Sequence, residues 1–152
     1  MSEINITACY KVFSRTFKNV GKALNINDPE SREYFNYVSS RTLIIFKFDL
    51  MLFDYKEKHD KKRVILRGKN ALTHFLVNEK NIDFNQAKNI SLNDALIIAW
   101  DNIRTYELSD EVLFYLKKDY TFDDEEFSEM HTKYPSFSDD EWDANLLDER
   151  LR

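Results

Sequence analysis

The chain has 152 residues, a formal net charge of −5, and 43% apolar and 14% aromatic residues, enough for one domain spanning residues 1–152 to bury a core without staples. Two glycines and two prolines are too few for the many left-handed turns of a β-sandwich or barrel, which leaves helices joined by short polar loops as the favoured build. A single cysteine, Cys9, excludes an internal disulfide framework and a cysteine-based zinc site.

In chain order, Val12, Phe13, Phe17, Val20 and Leu24 recur at helical spacing, with Lys11, Arg15, Lys18 and Lys22 elsewhere, and predict a first amphipathic helix. Asn25-Ile26-Asn27 ends it. Asp28-Pro29 then reads as the N-cap and first residue of a second helix through Tyr34, Phe35 and Val38, because proline lacks only an N–H that would be orphaned there. Leu43 to Tyr55 admits two readings. Phe46, Phe48, Leu50 and Leu52 alternate with Lys47, Asp49 and Met51 as in a strand, whereas Tyr34, Val38, Ile45 and Leu52 fit a continuing core helix. The lack of Gly and Pro between Glu30 and Arg67 favours the helix. The alternative is an α+β fold with a small hairpin from residues 43–53 and 63–67, although no Asn-Gly turn signal joins them.

Asn70 is placed to cap a helix carrying Leu72, Phe75 and Leu76, and Asp83 one carrying Phe84 and Ala87. Ser91, with Asp94 as an acidic variant of the capping box, opens a core helix with Leu92, Ala95, Leu96, Ala99, Trp100 and Ile103. Ser109 starts the next. There Leu108 and Leu113 hold the staple positions, Asp110 and Glu111 the first turn, and Lys117 and Lys118 the last. Thr121 with Asp124 marks a further start. Ser138 with Glu141 forms a capping box inside a Phe137–Trp142 staple, before a last helix lined by Trp142, Leu146 and Leu151. The expected fold is mainly α, a single-domain bundle of about six or seven helices.

Charge is segregated. Residues 109–152 carry 14 Asp/Glu and 5 Lys/Arg, a net of −9, so the remainder carries +4 within a total of −5. In that remainder, Lys56–Lys69 holds seven basic residues against Glu57 and Asp60. The acidic third interleaves its carboxylates with Tyr120, Phe122, Phe127, Tyr134, Phe137 and Trp142, unlike disordered acidic tails, which are poor in aromatics. Helix first turns account for Asp110, Glu111, Asp123, Asp124, Asp139, Asp140 and Glu141, at roughly 0.3–1 kcal/mol each. Local capping needs only one or two per helix, however, and does not explain a surplus gathered in one third of the chain. That surplus suits docking onto a basic partner.

Catalytic machinery is not visible. Gly21 and Gly68 stand far apart, so no Gly-rich phosphate loop exists, and there is no nucleophile elbow. Cys9 near Lys11 reads as a small buried apolar residue rather than a reactive thiol. His59, His74 and His131 lack metal-ligand spacing, and Asp123–Glu126 lacks the alternating ligands and glycine of a calcium loop. No catalytic residue, metal or cofactor is therefore expected. Met-Ser-Glu-Ile-Asn-Ile-Thr has neither a basic start nor a long apolar core, and Leu43–Phe53 is too short to span a bilayer. A soluble, cytoplasmic protein is expected. The basic 56–69 segment supports a second reading, a nucleic-acid-associated or regulatory protein. Against it stand the negative total charge, the absence of aromatics between Lys56 and Leu72, and the lack of a helix-turn-helix or RNP signature. A solvated loop, or a segment paired with the acidic end, accounts for those cations better.

The segment Ser91–Asp101 (Ser-Leu-Asn-Asp-Ala-Leu-Ile-Ile-Ala-Trp-Asp) and the acidic end Asp139-Asp140-Glu141-Trp142-Asp143 stand in a helical, glycine-poor chain. In this the chain resembles the small immunity proteins of bacterial toxin systems, particularly those of contact-dependent growth inhibition that neutralise nuclease toxins. The resemblance implies a non-enzymatic inhibitor, monomeric or weakly dimeric, that contacts neither nucleic acid nor membrane itself. It would bind a cognate basic toxin domain of the nuclease kind and cover its active-site or substrate-binding surface. Asp123, Asp124, Glu125, Glu126, Asp139, Asp140 and Asp143 are the expected charge-complementing residues. Tyr120, Phe122, Tyr134 and Trp142 are the expected anchors, the staple role of Trp142 competing with that assignment. Carboxylates turned instead onto residues 56–69 of the same molecule would leave no negative surface for a partner.

Overall fold

The computed structural model describes residues 5–150. Among them stand nine α-helices, one 3-10 turn and no strand: α1 (Ile6–Ala23), α2 (Phe35–His59), α3 (Asn70–Lys80), α4 (Phe84–Lys88), α5 (Leu92–Ile98), α6 (Trp100–Arg104), α7 (Asp110–Asp119), α8 (Asp124–His131), a 3-10 turn at Asp139–Glu141, and α9 (Leu146–Arg150). The mainly α expectation holds. Residues 43–53 lie inside α2 and residues 63–67 are irregular with a bend at Val64–Ile65, so the hairpin alternative does not form.

The core is built around α2. Its 25 residues extend roughly 37 Å at ~1.5 Å per residue. It is buried on nearly every side, with Val38, Ile45, Phe46 and Phe48 inaccessible to solvent and Leu50, Leu52 and Phe53 nearly so, as befits a helix apolar all round. Helices α1, α3, α6 and α8 pack on it. α1 carries its apolar stripe as predicted, with Val12, Phe13, Phe17 and Val20 buried. Asn5 caps its start by accepting from the Ala8 N–H at 3.1 Å, and Asn25 ends it in the left-handed region at φ 57°.

The segment from Tyr134 to Asp148 runs along α2 as a strap. Tyr134 stacks on Tyr37 with ring centroids 4.6 Å apart, and Glu141 pairs with Arg41 at 2.5 Å. Trp142 Nε1 donates to Asp49 Oδ1 at 2.6 Å, and Lys56 Nζ donates to both oxygens of Asp148 at 3.0 Å. At 100° per residue these four α2 positions fall within about 120° of the helix circumference, so one polar stripe of the central helix receives the strap. Arg41 and Glu141 are both fully buried. The guanidinium also donates to the Tyr37 hydroxyl at 2.8 Å and the Pro135 carbonyl at 3.0 Å, and it lies over the Phe137 ring at 4.3 Å. Bidentate pairing of this kind suits a desolvated arginine.

Several local expectations change. Pro29 does not open α2; residues 29–34 form turns and the helix starts at Phe35. Pro29 instead packs against α1, where a Cβ on Gly21 would sit 2.9 Å from the proline ring. The Ser91 helix breaks at Ala99 into α5 and α6. Asn70 is the first residue of α3 rather than its cap. α8 is capped by Asp123, not Thr121, through the Glu126 N–H at 2.9 Å. The Ser138–Glu141 capping box forms as predicted, but it opens only a 3-10 turn; Trp142 is extended and α9 begins at Leu146. Leu151 lies outside the described residues.

A candidate docking groove with an acidic rim

α5 and α6 turn their alanines inward. Ala95 and Ala99 are fully buried with Leu92, Leu96 and Ile103, and at 100° per residue Ile97 and Trp100 are carried away from that face. Ile97 is 65% and Trp100 44% exposed. Together with Ile44 of α2, Phe127 and His131 of α8, and Phe137 of the strap they line an open groove of ≈ 340 Å³. The strap fixes the groove's walls to one another. Phe137 N–H donates to Asn93 Oδ1 at 3.3 Å, and Asp139 Oδ1 accepts the Leu92 N–H at 2.7 Å, satisfying one of the orphan donors at the start of α5.

His131 sits at the end of a polar chain from the interior. Arg41 donates to the Tyr37 hydroxyl, whose oxygen lies 2.9 Å from His131 Nδ1. Burial first, and then the Arg41 charge, hold the imidazole pKa below its ordinary value, so it is neutral at pH 7. Thus the groove is lined by apolar groups, the Asn93 amide and one neutral imidazole. No catalytic nucleophile lies among its lining residues.

The rim is anionic. Asp124 lies one turn before Phe127 on α8, Asp94 one turn before Ile97 on α5, and Asp140 follows Phe137 in the strap. Asp123, Asp124 and Asp140 are exposed and form no ion pair among the described residues; the same holds for Glu125 and Glu129, which helical spacing turns to the side of α8 away from Phe127. Asp101 pairs with Arg104 at 2.8 Å on the exposed surface, and Lys47 lies one turn from Ile44 as a nearby cation.

The predicted site residues divide into two groups. The carboxylates gather on α8 and on the strap. Asp123 caps α8, Glu126 accepts from Asn36 Nδ2 at 2.6 Å, and Asp143 Oδ1 accepts the Asn145 N–H at 3.0 Å. Of the four aromatics Tyr120 is buried, and Phe122, Tyr134 and Trp142 are partly buried against the core. Tyr120 is buried, 4.6 Å from the Phe13 ring and stacked on Phe35 at 5.9 Å, with its hydroxyl 2.9 Å from Ser14 Oγ. Phe122 meets Phe13 edge-on at 6.0 Å. Tyr134 lies on Tyr37, and Trp142 meets Phe48 edge-on at 5.1 Å. The exposed apolar residues of this groove are Ile97 and Trp100, of which helical periodicity had placed Trp100 in the core. The signal was the small-residue pair Ala95 and Ala99, four apart, which marks the closely packed side and sends the bulky neighbours outward.

The acidic third is not turned wholesale onto the basic segment. Asp148 is the carboxylate that makes this contact, pairing with Lys56 and, at 3.3 Å, with Arg63, while accepting the Gly68 N–H at 2.7 Å. Lys56 and Arg63 are consequently buried, not solvated as a loop reading of the segment supposed. Among the described residues no group of three His, Cys, Asp or Glu side chains could hold a metal ion, and no helix is long and apolar enough to cross a membrane. No protein-family model matches the chain, and no curated protein or solved structure matches it.

Proposed function

We propose that this chain is an immunity-type binding protein that neutralises a basic toxin domain, of the nuclease kind, by seating its acidic-rimmed groove on the toxin's cationic surface. The observation that carries this reading is the pairing of exposed Trp100 and Ile97 with the unpaired carboxylates of α8 and the strap. A tryptophan set in an apolar depression and ringed by charge is the usual composition of a binding hot spot with a polar rim. The rim would steer a cationic partner, with association up to ~10⁸–10⁹ M⁻¹s⁻¹ at low salt, and the groove would set the lifetime of the complex.

The test pairs the chain with the toxin domain encoded beside it. Stoichiometric addition should abolish nuclease turnover, Trp100→Ala should weaken inhibition by roughly 10- to 100-fold, and joint Asp123→Lys and Asp124→Lys should slow association. Undiminished inhibition by both variants would remove the groove from the interface. Turnover by the chain alone would overturn the non-enzymatic reading.

A further inference from the structure

A second apolar surface exists, and its surround has the opposite charge. The loop after α2 is pinned from inside. The Asp60 carboxylate accepts the backbone N–H groups of Val64 at 3.1 Å, Ile65 at 2.7 Å and Leu66 at 2.8 Å. Arg63, at φ 57°, donates to the Lys61 carbonyl at 2.8 Å and pairs with Glu57 at 2.9 Å. Two β-branched side chains are thereby held outward, Val64 at 64% and Ile65 at 68% exposure. Ile65 joins Val77 and Phe84 around a depression of ≈ 360 Å³. The exposed charges next to these residues in the chain are Lys61, Lys62, Arg67, Lys69 and Lys88, which outnumber Glu79 and Asp83.

This basic surface and the acidic groove are neighbours on one continuous stretch. Phe84 and Lys88 lie on one flank of α4. Gln86 lies on the other flank, in a depression of ≈ 580 Å³ whose lining is half apolar, with Ile82, Ile90 and Ile97, and half polar, with Asn89, Ser91 and Asp94, and Ile97 also lines the acidic groove. A surface positive at one end and negative at the other, with apolar groups at both, is complementary to itself under a two-fold rotation, which lays each end on its opposite.

We propose that a second copy of this chain occupies this surface in an antiparallel two-fold dimer, the Val64–Ile65 loop of each copy seated on the Ile97–Trp100 groove of the other. The inference rests on the groove being a docking site, as proposed above, and makes self-association and toxin binding mutually exclusive. A weak dimer would then shield the groove until a more strongly cationic partner displaces the second copy.

Sedimentation velocity of the full chain over a wide concentration range, at low and high salt, tests it with two charge-reversed variants. One carries Lys61→Glu and Lys62→Glu, the other Asp123→Lys and Asp124→Lys. Wild type should dimerise at low salt and dissociate as salt rises. Each variant alone should dimerise roughly a hundredfold more weakly, and a mixture of the two should form a heterodimer, because both contacts are then again opposite in sign. A wild-type chain that is monomeric throughout, a dimer indifferent to either reversal, or a mixture that stays monomeric would overturn the proposal. So would binding of the wild-type loop to anionic vesicles without self-association. A monomeric wild type that still inhibits the toxin sinks the dimer alone, and a dimer without inhibition sinks the toxin reading alone.

Discussion

Removing the Glu141 carboxylate should be among the most damaging single changes in the molecule. Its Oε1 accepts from Arg41 Nε at 2.5 Å, and its Oε2 accepts from Arg41 Nη2 at 2.8 Å and from the Ser138 N–H at 2.7 Å. In Glu141→Ala the guanidinium keeps the Tyr37 hydroxyl and the Pro135 and Ser136 carbonyls, but its charge stays buried without a counter-charge. Breaking a buried pair from one side costs about 3–5 kcal/mol, a large share of the roughly 5–15 kcal/mol that holds an ordinary domain together. Urea unfolding should show the midpoint falling with little change in slope. The double variant Arg41→Met with Glu141→Leu should recover most of the loss, since a matched apolar pair has no charge to desolvate. A loss below about 1 kcal/mol for Glu141→Ala, in the range of exposed pairs, would refute the view that this contact anchors the strap.

Three further outcomes follow from buried groups. Burial pushes the Asp49 carboxyl up to about 7 from 3.8, against the opposing Trp142 hydrogen bond and Lys56 charge. The folded chain then holds a proton that the unfolded chain releases above its lower pKa. Stability should thus fall as pH rises from about 4 to about 7, by roughly 4 kcal/mol at most. Asp49→Asn should flatten that fall in unfolding curves taken across the range, and an unchanged slope would contradict the assignment. Gly21→Ala should destabilise the chain despite alanine's helix-propensity advantage of about 1 kcal/mol, because its methyl would meet Pro29; a gain in thermal midpoint would count against that contact. Cys9 is buried and burial raises its thiol pKa to about 12, so a thiol reagent at neutral pH should label it only at the rate of unfolding.

The features legible in the sequence were those set by near neighbours. The side chains of Asp83, Ser91 and Ser109 cap α4, α5 and α7 as their spacing predicted, because a cap and its N–H partner lie two or three residues apart. α2 could be read as unbroken because nothing between Phe35 and His59 breaks a helix. The strap could not be anticipated: Arg41 and Glu141 lie 100 residues apart, and Arg41 reads locally as one more surface cation. The same limit applied to the candidate site. Carboxylate density on α8 and the strap is visible in the sequence itself, whereas the packing of Tyr120, Phe122, Tyr134 and Trp142 depends on partners in α1 and α2. Pro29 was read by a local rule, and its contact with Gly21 across the turn decided its place instead.

The most direct measurement of the central claim is stopped-flow tryptophan fluorescence of the chain mixed with the neighbouring toxin domain, over a salt series. Trp100 is 44% exposed while Trp142 is bound to Asp49, so the signal change should come from Trp100 and vanish in Trp100→Phe. Its association rate should fall steeply with salt as the anionic rim is screened. A complex that forms with no Trp100 signal, or at a rate indifferent to salt, would contradict docking through the acidic-rimmed groove.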